Sequence, residues 1–315
     1  MDLAAELAAY GPEAQSRAIS PVEARAYCRR LASSHYENFT VVSWLFPRRL
    51  HQHLANVYAY CRWADDLADE TANLGPPPSA GMPQRAFPIA RDESLRLLDW
   101  WERQLDAMFA GEARHPVFVA LAETVREFDL RRQPLADLLV AFRRDQTQTQ
   151  YETLGELLTY CEKSASPVGR IVLCLGRALN NENVYKSDLI CTGLQLANFW
   201  QDVRRDYERG RIYIPQEACR ARGWDEARFA AGRCDDDFRE LLWPLIQFAE
   251  MQLFLGQSLV KDLPRELKLP VRAFIAGGQA ILAAIRRQRY DVWSRRPTVG
   301  RLTKLRLLAQ AWWSP

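Results

Sequence analysis

The sequence predicts an all-α protein, on three observations. Apolar residues recur with helical spacing over most of the chain, and alternating strand patterns are nearly absent. Helix-start signals are explicit: Ser20-Pro21-Val22-Glu23 reads as an N-cap, a proline at N1 and a capping-box glutamate. The one strand-like fragment, Arg211-Ile212-Tyr213-Ile214-Pro215, ends at a proline. With 48% hydrophobic and 26% charged residues the chain can bury a large core. Neither a repeat of fixed period nor a shift in composition divides it. The 315 residues are read as one domain, 1–315, with its core over about 20–295.

The first helix follows Ser20 and runs to about Ser33. A second begins near Pro47 and carries Leu50, Leu54, Val57, Tyr58 and Cys61 on one stripe, which places the acidic run at Asp65 on the same inward row. Residues 75–88, with five prolines and two glycines, predict a loop, read either as a lid or as a plain connector. Further helices are expected at about 91–110, 114–128, 134–146, 153–181, 186–208, 236–264, 268–290 and 300–312.

Composition excludes several classes of function. A net charge of +3 leaves no nucleic-acid footprint. Seven scattered cysteines without a CxxC pair fit reduced thiols in a cytoplasmic protein, not a disulfide framework or a zinc site. Met1–Tyr10 is apolar but carries Asp2 and Glu6 and has no basic start, so it is not read as a signal peptide. No run of about 18 apolar residues predicts a membrane span. Among the ten tryptophans, Trp312-Trp313 is read as core aromatics or a frayed tail, with a lipid-interface placement as the alternative.

Two acidic clusters carry the chemistry. Asp65-Asp66-Leu67-Ala68-Asp69 and Asn198-Phe199-Trp200-Gln201-Asp202-Val203-Arg204-Arg205-Asp206 each repeat a carboxylate at i and i+4, on one helix face. Like charges at that spacing repel, and twice over beside apolar stripes they imply a cation. Mg²⁺ takes hard oxygen ligands, keeps waters and is completed by substrate phosphates. Asn198 extends the second face into an Asn/Asp/Asp ladder. Arg62, three and four residues before Asp65 and Asp66, can pair with the cluster or face a phosphate.

These stretches resemble the squalene/phytoene synthase family. Tyr58-Ala59-Tyr60-Cys61-Arg62-Trp63-Ala64-Asp65-Asp66-Leu67-Ala68-Asp69 is similar to its first signature. Gln195 to Asp206, running on to Arg209-Gly210-Arg211-Ile212-Tyr213-Ile214-Pro215, is similar to its second. Tyr160-Cys161-Glu162-Lys163-Ser164-Ala165-Ser166-Pro167-Val168-Gly169 looks like the central tyrosine segment, and His35-Tyr36-Glu37-Asn38-Phe39 stands at the first active-site helix. Order and spacing agree over about 35–290.

The resemblance implies an isoprenoid synthase helical fold with both motifs lining a central cavity. It implies Mg²⁺ held by Asp65, Asp66 and Asp69 and by Asn198, Asp202 and Asp206, with Asp65, Asp69, Tyr160, Asp202 and Asp206 catalytic. His35, Asn38, Arg62, Gln201 and Tyr290 would bind substrate. Within the family, the segments at His35–Phe39, Ser43-Trp44-Leu45, Pro47–Leu50 and Asn198–Asp202 most resemble bacterial hydroxysqualene synthases of hopanoid biosynthesis. Those ionise presqualene diphosphate, rearrange the cation and quench it with water, giving hydroxysqualene and diphosphate without NADPH. A presqualene diphosphate synthase upstream and a flavin-dependent squalene-forming enzyme downstream would be its pathway partners. The chain departs from condensing members at Gln201, where many have arginine, and at Ser166-Pro167, where many have Gly-Thr or Gly-Leu.

The alternatives are a head-to-head prenyl transferase making presqualene diphosphate, squalene or phytoene, and a catalytically idle helical protein that binds lipid or partners. A head-to-tail elongase is disfavoured by Asn198 and by Tyr213-Ile214-Pro215. The expected location is cytoplasmic, or peripheral on the inner face of the membrane. Other motifs are set aside. His51 and His53 point apart on a helix and are read as surface residues. Arg204-Arg205 and Glu208–Arg211 read as a diphosphate-facing patch or a solvated helix end, and Arg286, Arg287 and Arg289 as an ordinary basic helix face, with anionic lipid headgroups as the alternative. Gly277-Gly278 lacks the strand and spacing of a dinucleotide fingerprint.

Overall fold

A computed structural model describes residues 1–14, 18–34, 45–71 and 88–300. His35, Asn38, Phe39, Trp44, most of the proline-rich loop, the expected helix at 300–312 and Trp312-Trp313 lie outside these residues. Among the described residues all regular structure is helical, and the strand-like fragment contributes only an isolated parallel bridge, Gln150 to Ile212. The helices form two compact units, Met1–Thr147 and Gln148–Pro315.

The N-terminal unit holds α1 (Leu3–Tyr10), α2 (Pro21–Ser34), α3 (His51–Asp69), α4 (Pro88–Phe109), α5 (Pro116–Phe128) and α6 (Arg132–Asp145). The capping box at α2 is present: Glu23 N–H donates to Ser20 Oγ at 3.3 Å and Ser20 N–H to Glu23 Oε2 at 3.0 Å. α3 packs on α2, α4, α5 and α6. Its core face is Tyr60, Trp63, Ala64 and Leu67, all fully buried. The predicted stripe is therefore turned: Leu50, Leu54 and Val57 are buried, while Tyr58, Cys61 and Asp65 are half-exposed at its edge. Large aromatics claim the centre. Trp63 stacks on Trp101 with centroids 5.1 Å apart, and Tyr60 and Phe118 close on Trp101 at 6.0 and 4.5 Å.

Hydrogen bonds thread this core. Trp63 Nε1–H donates to Tyr27 Oη at 2.9 Å, and Tyr27 O–H donates to Glu6 at 2.6 Å, which docks α1 on α2 and α3. His53, expected at the surface, is held against α5 instead. Its Nδ1 lies 3.1 Å from Thr124 Oγ1 and its Nε2 3.3 Å from Glu127.

His115 caps α5, its Nδ1 accepting from Val117 N–H, and its ring meets Trp63 and Trp101 edge-on at 4.7 and 4.8 Å. Burial lowers its pKa from 6.5 to about 3. The folded chain thus refuses a proton that the unfolded chain takes up below pH 6.5, so stability falls as pH drops through that range. From pH 7 to pH 5 the loss from this residue is about 2 kcal/mol. His115→Asn keeps a capping oxygen and does not titrate. Its urea midpoint is expected to fall less than wild type between those pH values, and equal slopes would exclude His115 as the source.

The C-terminal unit is built on α9 (Asn181–Glu208), which packs against α7 (Leu154–Ser164), α8 (Ser166–Leu175), α12 (Asp236–Gly256) and α14 (Arg265–Arg287). The short helices α10 (Gln216–Ala221), α11 (Glu226–Ala231) and α13 (Leu259–Asp262) complete it. The helix expected at 153–181 is two. Pro167 cannot continue α7 and starts α8, which ends at Gly176 with Arg177 left-handed (φ 53°). Asn180 caps α9, its side chain accepting from Asn183 N–H at 2.9 Å, which brings the helix start forward to Asn181.

Gly256 lets α12 meet α9 closely, since a Cβ there would stand 2.8 Å from the Lys186 carbonyl oxygen. α14 is long and apolar enough to cross a membrane by length and composition, which departs from the expectation of no such segment. It nevertheless buries Leu267, Val271, Ile275, Leu282 and Ile285 and packs on α9 and α12. It stops at Arg287, where Arg289 and Tyr290 are both left-handed (φ 52° and 63°) and reverse the chain.

Candidate active site

The first acidic cluster closes α3. Asp65 and Asp69 lie on its open side, half-exposed and exposed, as their i, i+4 spacing requires. Asp66, one residue on, turns into the unit and is 1% exposed. Arg62 Nε–H donates to Asp66 Oδ2 at 3.0 Å, Nη2 pairs with its other oxygen, and the Met1 amine lies 3.6 Å away. Arg62 also reaches Asp65 at 3.4 Å and Glu70 at 3.3 Å. Its guanidinium is thus spread over three carboxylates, the pairing alternative left open by the spacing. Burial pushes the Asp66 carboxyl up to about 7, against the opposing pull of Arg62. The three aspartates divide accordingly: two face outward, and Asp66 is bound into the core.

The second cluster lies near the end of α9. Asn198 is exposed, Asp202 is 20% exposed and Asp206 is partly buried, all on one face. Burial, then the Asp202 charge one turn away, raises Asp206 to about 7. Asp206 shares a small cavity with Phe199, Tyr213, Tyr207 and Arg211. There Phe199 and Tyr213 stack with centroids 3.9 Å apart, and Tyr160 leans on both at 6.2 and 6.1 Å. Tyr160 is buried, and Tyr151 extends the group at 5.4 Å from it. A carboxylate face therefore adjoins an aromatic wall. Tyr290, at the reversal after α14, makes no ring contact with this group among the described residues.

Gln201 is buried, and its amide is bonded at both ends within the chain. Its Nε2–H donates to the Pro297 carbonyl at 2.5 Å, and its Oε1 accepts from Arg296 Nη2 at 3.1 Å. Arg296 in turn clasps Asp202 with two bonds, Nε at 2.6 Å and Nη2 at 2.7 Å. Gln201, expected to bind substrate, holds a guanidinium against Asp202. Arg296 and Tyr213 join the site residues expected from the sequence. Tyr213 lies inside the second motif, whereas Arg296 lies 94 residues beyond Asp202 with no local signal.

The donor set suits Mg²⁺. Each helix offers hard oxygen atoms, Asp65 and Asp69 on α3 and Asn198, Asp202 and Asp206 on α9. Among the described residues no three His, Cys, Asp or Glu side chains close a protein-only cage. All seven cysteines are free.

The profile of the family described as Squalene/phytoene synthase matches residues 32–303. The chain belongs to the squalene/phytoene synthase family. Among curated relatives, the "Phytoene synthase" of Arthrospira platensis is 31% identical over 297 residues, covering 90% of this chain and 91% of that one. The "15-cis-phytoene synthase" of Synechocystis sp. (strain ATCC 27184 / PCC 6803 / Kazusa) is 30% identical, covering 92% and 85%. Among solved structures, the squalene synthase HpnC from Alicyclobacillus acidocaldarius is 39% identical with a TM-score of 0.75, over 85% of this chain and 94% of that one. A dehydrosqualene synthase in complex with ligand aligns with a TM-score of 0.79 at 25% identity, covering 92% and 96%. This member of the family has the all-α isoprenoid synthase fold. It belongs among enzymes that process isoprenoid diphosphates, a family of head-to-head prenyl transferases.

Proposed function

We propose that this family member is a Mg²⁺-dependent hydroxysqualene synthase, converting presqualene diphosphate and water to hydroxysqualene and diphosphate. The observation that carries the reading is the second acidic helix, where Asn198, Asp202 and Asp206 share a face and Asp206 adjoins the Tyr160–Phe199–Tyr213 aromatic group. The choice within the family leans on the 39% identity to the squalene synthase HpnC.

Bound Mg²⁺ would neutralise charge on the departing diphosphate. Asp65 and Asp69 would hold the metal of one site, and Asn198, Asp202 and Asp206 that of the other. As the C–O bond breaks, the cation left behind meets π-faces that attract positive charge and offer no nucleophile, the role of Tyr160, Phe199 and Tyr213. Rearrangement of the cyclopropylcarbinyl cation, addition of one water and loss of its proton complete the reaction without a reductant, so NADPH is not required. In this reading residues 1–315 act as one catalytic domain. The protein is cytoplasmic, with peripheral contact at the inner face of the membrane that takes up the apolar product. A presqualene diphosphate synthase would supply its substrate, and a flavin-dependent enzyme would consume its product.

A head-to-head condensing enzyme is the second reading, supported by the phytoene synthase relatives and by Arg296. Position 201 lacks the arginine of many condensing members, yet a guanidinium reaches Asp202 from position 296. That position no longer separates the two activities. Product analysis does. The purified protein with Mg²⁺ is offered presqualene diphosphate and farnesyl diphosphate separately, each with and without NADPH. Hydroxysqualene from presqualene diphosphate alone is the expected result. Product formed only from farnesyl or geranylgeranyl diphosphate would replace this reading with condensation.

A further inference from the structure

We infer that Gln201 and Arg296 form a positioning pair that makes the binding of metal and of diphosphate at Asp202 depend on each other. The inference rests on the proposed role of Asp202 as a metal–diphosphate residue.

Arg296 is brought to Asp202 by a moored segment. After α14 the left-handed pair Arg289–Tyr290 turns the chain, and Trp293 then inserts among Tyr207, Phe229 and Phe238 with centroids 6.1, 6.1 and 5.7 Å away. Arg204 Nη1–H donates to the Trp293 carbonyl at 3.1 Å, and Gln201 fixes the next turn through Pro297. The guanidinium is therefore delivered by buried anchors on both sides, and the Gln201 oxygen orients its fork.

This pairing has two opposite consequences. Both Asp202 oxygens are engaged, so a divalent cation must break at least one charge-assisted bond to use that carboxylate. Arg205, 3.8 Å away and largely exposed, is a weaker second competitor. Metal alone should consequently bind weakly. A diphosphate changes the balance, because its oxygens match the planar fork of an arginine as well as a carboxylate does. Once Arg296 has a phosphate to face, Asp202 is released to the metal. Each ligand thereby raises the affinity of the other by the same factor, as linkage requires.

The test measures each ligand without the other. Mn²⁺ alone is titrated and followed by the electron paramagnetic resonance signal of the free ion. Inorganic pyrophosphate is titrated in EDTA by calorimetry. In Arg296→Gln the Mn²⁺ affinity is expected to rise about 5-fold or more while the metal-free pyrophosphate affinity falls by a similar factor. Gln201→Ala should move both constants in the same two directions by less. Arg296→Lys should return both toward wild type, and circular dichroism should be alike in all four proteins. A structural role would weaken both ligands together. Loss of both affinities, or no change in either, overturns the inference. Wild-type protein that binds neither probe would overturn the proposed function itself.

Discussion

Asp202→Ala and Asp206→Asn are each expected to lower turnover of an isoprenoid diphosphate by about 10³-fold or more with helix content unchanged. Both side chains stand on the face of α9 that adjoins the aromatic wall, and neither lies in the buried core of the helix. Stability gives a second signature at Asp206. Burial holds its carboxyl up to about 7, so the folded state prefers it protonated. Between the unfolded value near 4 and that pKa, the unfolded chain releases the proton first, and the native state loses stability as pH rises. Asp206→Asn removes that penalty. Without metal, its thermal midpoint should exceed wild type at pH 8 by a few degrees and match it near pH 4. A variant that is inactive but less stable at pH 8 would mean that Asp206 serves the fold.

The first cluster should split. Asp66→Ala is expected to cost about 3 kcal/mol of folding stability, because it removes the buried carboxylate that Arg62 holds with two bonds. The figure sits at the low end for a broken buried pair, since Arg62 is 20% exposed and keeps Asp65 and Glu70 within reach. Asp65→Ala and Asp69→Ala should change stability by no more than about 0.5 kcal/mol, as open-side substitutions do, and should remove most activity. Urea unfolding and steady-state turnover on the same three proteins separate the roles. Equal stability losses at all three positions would contradict the geometry of α3.

The division at Asp66 is set by contacts beyond its own helix turn. Spacing alone places Asp65 and Asp69 on one face, and the capping box at Ser20–Glu23 forms as written, because both depend on residues within one turn. Periodicity could not show that the core face of α3 is Tyr60, Trp63 and Ala64. That choice is made by Trp101 and Phe118 on other helices. Pro167 was visible as an unusual residue beside the central tyrosine, yet its effect is to begin a new helix, a boundary that the apolar pattern runs through.

What the sequence determined by itself is therefore local: an all-α chain, two carboxylate ladders, a set of helix starts, and the motifs that assign the family. Only the tertiary structure decided which carboxylates stay open and which are spent. Asp66 is turned inward to Arg62, Gln201 is bonded at both ends, and Arg296 reaches Asp202 across 94 residues of chain. The reason is range. Helix spacing and capping act over three or four residues, whereas the charge beside a carboxylate depends on where a distant segment is anchored, here by Trp293 and a left-handed turn.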